Sequence, residues 1–191
     1  MNRGFIADKT FQAEEIEKEI LEPGDYESCT FEACNFTKYD LSGFSFSECE
    51  FIDCDFSNVS LNDTTIREGD FQNCKLIGVR FDKCNNFLLS FNFQDCNLSF
   101  SSFYYLKLKK ITFKNCKMEQ VDFSEADLQQ AKFVNCNLTA AVFENTNLER
   151  ADFRSAENFS IDPEKNRIKN AKFSANNLSG LLDKYHLEIL N

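Results

Sequence analysis

In the stretch CTFEACNFTKYDLSGFSF, residues 29–46, bulky apolar side chains stand five apart at Phe31, Phe36, Leu41 and Phe46. The frame starts at Tyr26 and runs through Phe51, Phe56, Leu61, Ile66, Phe71 and Leu76 to Phe81 without a miss. After a two-residue slip within CNNFLLSFN, near residues 84–92, it resumes at Leu88 and continues through Phe93, Leu98, Phe103 and Leu108 as far as Phe153. A helix turns ~100° per residue, so positions five apart drift around its surface, and in a strand an odd spacing alternates between faces. A chain that turns a corner about every five residues buries such a pattern, with four short sides closing one coil of twenty. The expected fold is an all-β, square-sectioned parallel β-solenoid of about eight coils.

Stacking the coils, with the one insertion allowed, tests the period. One column reads Phe31, Phe51, Phe71, Phe93, Phe113, Phe133, Phe153 and Phe173; another reads Phe46, Ile66, Leu88, Leu108, Leu128, Leu148 and Ile168. Two residues upstream of the inward positions Phe36, Phe56, Leu76, Leu98, Met118 and Leu138 stand Cys34, Cys54, Cys74, Cys96, Cys116 and Cys136 in a single column, and Cys29, Cys49 and Cys84 hold the same place in the frame. Alanine and valine occupy equivalent sites at Ala126, Ala131 and Val121, so the cysteines are expected to be small buried fillers beside the aromatic stack. Parallel Cβ directions on coils about 4.7–4.9 Å apart disfavour disulfides, and the spacings lack the paired C-x₂₋₄-C pattern of zinc sites. With His186 the only histidine, neither metal nor cofactor is expected.

Nor does a catalytic constellation emerge. There is no glycine-rich phosphate loop, no Cys–His or Ser–His pairing, and Asp55, Asp122 and Asp152 recur because the unit recurs. The formal net charge of −10 argues against direct nucleic-acid binding, which rests on Lys and Arg contacts to phosphate, and favours a basic partner. The charge is lopsided: residues 1–100 hold 19 acids and 8 bases, residues 101–191 hold 12 acids and 13 bases. One basic cluster, Lys107, Lys109, Lys110, Lys114 and Lys117 beside Tyr104 and Tyr105, is a lesser candidate contact. Without a signal peptide or a long apolar run, a cytoplasmic chain with reduced thiols and no membrane association is expected.

Units such as CNFTK (34–38), CDFSN (54–58), VDFSE (121–125), ADLQQ (126–130) and ADFRS (151–155) resemble the A(D/N)LXX consensus of the pentapeptide-repeat proteins over roughly residues 24–180. The resemblance implies a right-handed quadrilateral parallel β-helix with the central Phe or Leu, and the small residue two before it, pointing inward. Within that family the chain is similar to the quinolone-resistance (Qnr) type in its length, its early Cys-rich block and its ending ENFSIDPEKNRIKNAKFSANNLSGLLDKYHLEIL. That likeness implies a non-enzymatic protein that binds DNA gyrase and topoisomerase IV by imitating duplex DNA and modulates them or protects them from quinolones. The alternative is a rigid protein-interaction scaffold or regulator with no topoisomerase involvement.

A solenoid must cover its terminal coils. Residues 1–23 are expected to form a cap, strand-like in GFIADKTFQ and helical through Ile16 and Ile20, ending at Pro23-Gly24. Asn158 and Pro163 interrupt the frame, so an irregular coil is expected at 157–167, with Ile168, Phe173 and Leu178 back on register. The tail, 181–191, carries Leu181, Leu182 and Tyr185 at helical spacing and then Leu187, Ile189 and Leu190. It either folds on to its own last coil or joins two chains end to end as a homodimer.

Overall fold

The computed structural model describes residues 4–14, 21–37 and 39–188 of the 191. Outside the insertion and the last coil, each five-residue side presents its centre to the interior, and four walls result. The first wall contains β1 (Gly4–Ala7), β3 (Gly24–Glu27), β5 (Ser45–Ser47) and β7 (Thr65–Arg67), all parallel, and isolated bridges through Lys107, Asp127, Asn147 and Arg167 continue it. The second contains β2 (Thr10–Gln12), β4 (Thr30–Glu32), β6 (Glu50–Ile52), β8 (Gly69–Gln72), β9 (Phe91–Gln94), β10 (Thr112–Lys114) and β11 (Lys132–Val134). Seven strands give six turns of continuous pairing, and bridges from Lys132 to Asp152 and from Asp152 to Lys172 add two more. Parallel bridges alone build the third wall, from Asn35 to Glu157; the fourth has bridges from Asp40 to Ser60 and from Arg80 to Val142, with a 3₁₀ turn at Phe81–Lys83.

The phenylalanine column is the spine. From Phe11 through Phe31, Phe51, Phe71, Phe93, Phe113, Phe133 and Phe153 to Phe173, successive rings lie 4.6–5.6 Å apart and within 23° of parallel. That separation is the rise of one hydrogen-bonded coil, so the backbone ladder and the ring stack share one repeat. Seven of the eight phenylalanines read from the sequence are buried; Phe173, last in line, is half-covered.

Corners need a backbone reversal that L-residues resist. Two residues after most centres the chain turns left-handed, at Ala33 (φ 53°), Asp53 (φ 56°), Phe100 (φ 63°), Lys110 (φ 64°) and Arg150 (φ 59°) among many others. Each such residue costs about 1–2 kcal/mol in isolation. The ladder offsets it, because the amide of the strained residue donates to the next coil: Ala33 to the Ile52 carbonyl at 2.9 Å, Phe100 to Glu119 at 2.8 Å, Arg150 to Lys169 at 3.0 Å. Many sides close further with a bond from three residues on, as from Val59 N to Phe56 O at 3.0 Å and Ala126 N to Phe123 O at 3.1 Å, the pattern of a type II turn.

Several placements differ from the expectation. Strand pairing reaches Gly4, within the segment read as a cap: Gly4–Ala7 pairs with Gly24–Glu27, and Thr10–Gln12 with Thr30–Glu32. Ile6, Phe11 and Leu21 fall on the same five-residue frame, so the signal for this first coil was present in the sequence. Ile16 and Ile20 lie outside the described residues.

Leu88, expected inward, is 62% exposed with φ 58°, and Asn86 ahead of it is also exposed. The inserted residues bulge instead of continuing the wall, pinned by Asn85 N to Thr64 O (2.9 Å), Phe87 N to Asn85 Oδ1 (2.9 Å) and Ser90 N to Ile66 O (3.1 Å). Phe91 fills the interior in place of Leu88, its ring 5.2 Å from Phe81 and 5.1 Å from Phe93. Its coil neighbour in that column is Gly69, where a Cβ would approach Ile66 Cγ2 to 2.7 Å.

At the far end Asn158 turns outward with φ 58° and Phe159 takes the buried place one residue late. Leu178 is exposed rather than back in register, because Ala175–Leu181 winds as a 3₁₀ helix, followed by another at Asp183–Tyr185. Among the described residues, no helix is long and apolar enough to cross a membrane.

Candidate interaction surfaces

The interior is chemically quiet. All nine cysteines are free and buried. In the column of six, each thiol faces the carbonyl of the inward phenylalanine one coil earlier, as from Cys54 to Phe31 at 3.3 Å, Cys96 to Phe71 at 3.4 Å and Cys136 to Phe113 at 3.4 Å. Cys34, Cys74 and Cys116 do the same toward Phe11, Phe51 and Phe93. Thr146 and Thr64 hold the equivalent place with hydroxyls donating to Phe123 O (2.9 Å) and Leu41 O (2.8 Å). Burial pushes the Cys49 and Cys84 thiols up to about 12, far from the thiolate that nucleophilic chemistry needs. Among the described residues, no group of three or more His, Cys, Asp and Glu could hold a metal.

The recurring aspartates and asparagines act on their own corners. Asp55 accepts from Ser57 N at 2.9 Å, Asp122 from Ser124 N at 2.9 Å and Asp152 from Arg154 N at 3.2 Å. Each is an Asx turn, which explains why an acid or amide stands just before so many inward centres. Interaction with other molecules therefore falls to the exterior and the ends.

The lysine cluster legible in sequence is divided by the winding. Lys107, Lys109 and Lys110 lie on the first wall, Lys114 on the second and Lys117 on the third. Lys109 pairs with Asp127 at 3.3 Å, Lys117 with Glu119 at 3.3 Å, and Lys114 donates to Gln94 at 3.4 Å. Phe87 and Leu88 on the loop, with Phe100, Tyr104 and Tyr105 on the next coil, place five large exposed apolar or aromatic side chains at mid-rod.

At the C-terminal end, Leu181 packs partly against the core, whereas Leu182, Tyr185 and Leu187 are exposed; Ile189 and Leu190 lie outside the described residues. The final turns are tied down by Ile161 N to Gly180 O at 2.8 Å and by Lys184, whose ammonium lies 2.7 Å from Asp162 and 2.8 Å from Glu164. A Cβ on Gly180 would collide with the Phe159 carbonyl oxygen, so this close approach requires glycine. Hydrogen bonding from Lys184 holds the Asp162 and Glu164 carboxyls below their ordinary range.

Comparison with known proteins agrees with this architecture. No curated protein matches the sequence. A structure of QnrB1, described as a plasmid-mediated fluoroquinolone resistance protein, is similar with a TM-score of 0.63 and 18% identity, over 98% of this chain and 100% of that one. HetL, a pentapeptide repeat protein involved in heterocyst differentiation regulation from the cyanobacterium Nostoc sp., is similar with a TM-score of 0.64 and 15% identity, over 89% of this chain and 84% of that one. At such identities the likeness shows the fold. The family described as pentapeptide repeat region matches at residues 25–103, 88–157 and 106–181, spanning the walls and their Phe and Cys columns, and the chain belongs to the pentapeptide-repeat family.

Proposed function

We propose that this chain is a non-enzymatic cytoplasmic protein whose outer walls bind a type II topoisomerase, DNA gyrase or topoisomerase IV, as a mimic of duplex DNA. The observation that carries the reading is a rod of stacked coils whose N-terminal half is lined with carboxylates, including Glu32 and Glu50 on the second wall and Asp53 and Asp95 at the corner that follows it. Eight spacings of about 4.8 Å give a rod of roughly 38 Å, long enough to lie in a cationic DNA-binding saddle. Occupancy of that saddle would alter DNA engagement and relieve quinolone-trapped complexes, a role in keeping with the description of QnrB1 as a fluoroquinolone resistance protein. An end-to-end homodimer through Leu181, Leu182, Tyr185, Leu187, Ile189 and Leu190 would double the rod and place its acidic halves outermost.

A second reading, a rigid scaffold for another protein, draws on the exposed mid-rod aromatics and the basic first wall of the C-terminal half, which a copy of DNA does not need. A supercoiling assay separates the two. Purified protein at micromolar concentration is expected to inhibit gyrase or reduce ciprofloxacin-induced cleavage; indifference of both readouts leaves the scaffold. For the dimer, light scattering at about 0.5 M salt, where charge contacts between chains are screened, is expected to show two chains that Leu182→Glu separates.

A further inference from the structure

The edge between the first and second walls carries opposite charge on its two halves. Along it the corner pairs run Glu48/Glu50, Glu68/Asp70, the uncharged Ser90/Asn92, then Lys110/Thr112, Gln130/Lys132 and Arg150/Asp152. These charged side chains are exposed or half-exposed, and Glu48, Glu50, Glu68, Lys110, Lys132 and Arg150 make no ion pair among the described residues. Asp152, the one acid on the basic half, is already neutralised by Arg154 at 2.7 Å.

Coils of fixed rise turn this series into a ruler with its midpoint at Ser90/Asn92. Glu68 lies one coil to one side and Lys110 one coil to the other; Glu48 and Glu50 lie two coils away, and so does Lys132. A two-fold axis crossing the edge at the midpoint sets Glu68 of one copy opposite Lys110 of the other and Glu50 opposite Lys132, then repeats both pairings beyond the axis. This is the self-complementarity that a symmetric dimer contact demands. Parallel alignment of the same edges would set like charge on like.

We propose that this edge is a contact between two copies of the chain lying side by side and antiparallel. The inserted loop adds an apolar centre: Phe87 and Leu88, beside the midpoint on the first wall, meet their own counterparts close to the axis, and Arg67 stacks over Phe87 with 5.7 Å from guanidinium carbon to ring centre. Uncharged, apolar contact at the middle with charges outside is the usual anatomy of an interface. The contact is separate from any end-to-end association at the tail and independent of the topoisomerase reading.

Sedimentation velocity in a Leu182→Glu background, which removes the tail contact, tests the edge alone. At about 0.05 M salt a dimer is expected, weakened at least about tenfold at 0.5 M as screening shortens the reach of charge. Glu48→Lys/Glu50→Lys/Glu68→Lys and Lys110→Glu/Lys132→Glu/Arg150→Glu are each expected to be monomeric with unchanged far-UV circular dichroism. An equimolar mixture of the two is expected to dimerise, since every facing pair is then opposite in sign. A carbodiimide should link Glu68 to Lys110 between isotopically distinguished copies. A low-salt monomer, a dimer indifferent to salt and charge reversal, or a mixture that stays monomeric overturns the proposal, the first leaving the edge to a different partner.

Discussion

Truncating one ring of the spine should cost most at mid-rod and least at its ends. Phe113 is fully buried; its ring lies 5.6 Å from Phe93 and 5.3 Å from Phe133 in parallel stacks, and 5.7 and 5.9 Å from Phe103 and Phe123 edge-on. Phe113→Ala removes the transfer energy of a buried ring and leaves a cavity that two ladders of fixed rise cannot close, so the loss should be near 4 kcal/mol, within the usual range of about 3–5. Phe173 is half-covered and has a stacked neighbour on one side only, Phe153 at 5.3 Å, so Phe173→Ala should cost about 1–2 kcal/mol. With a urea m-value of roughly 2–3 kcal/mol/M, the mid-rod change lowers the midpoint by about 1.3–2 M and the terminal one by about 1 M or less. Equilibrium urea unfolding followed by circular dichroism measures both, with equal m-values required for the comparison. Equal losses at the two sites, or less than about 1 kcal/mol at Phe113, would refute the account of the spine.

Asn166→Ala should destabilise by about 2–4 kcal/mol in thermal unfolding, because its buried amide accepts from Thr146 N (2.9 Å) and donates to Phe143 O (2.9 Å) and Asp162 O (3.0 Å); a loss below about 1 kcal/mol contradicts this. Leu88→Ser should leave stability within about 0.5 kcal/mol of wild type, whereas Leu128→Ser, at a fully buried site of the same predicted column, should cost several times more. The depressed Asp162 and Glu164 carboxyls contribute stability above their unfolded values near 4 and lose it as pH falls through the lower folded values. Hydrogen exchange in residues 175–188 should therefore accelerate below about pH 4, beyond its intrinsic pH dependence, and Lys184→Met should abolish that excess. Iodoacetamide at pH 8 should spare all nine thiols in the native protein and label all nine in denaturant; rapid native labelling of any would contradict their burial.

Period alone determines which residues face in while the coil stays at twenty, so the Phe and Cys columns, the four walls and the corner aspartates could be read from the sequence. What spacing does not encode is how a bulge resolves. After the insertion, Leu88 and Phe91 compete for one interior, and Phe91 occupies it in the column where Gly69 supplies no side chain. At the end of the rod Asn158 yields its place to Phe159 one residue on, because an amide gains little from an apolar interior and tolerates the left-handed turn. The surface was least legible, since residues adjacent in sequence leave on different walls: Lys110, Lys114 and Lys117 part company, while Glu68 and Lys110 come to share an edge.

The corners hold their unusual backbone for residues as unlike as Ala33, Phe100, Lys110 and Arg150. Interstrand bonding imposes the bend, and no particular side chain is required to permit it. Such a molecule can exchange its outward letters one at a time while its frame stands unchanged, so new binding specificities can arise by substitution without passing through a misfolded ancestor.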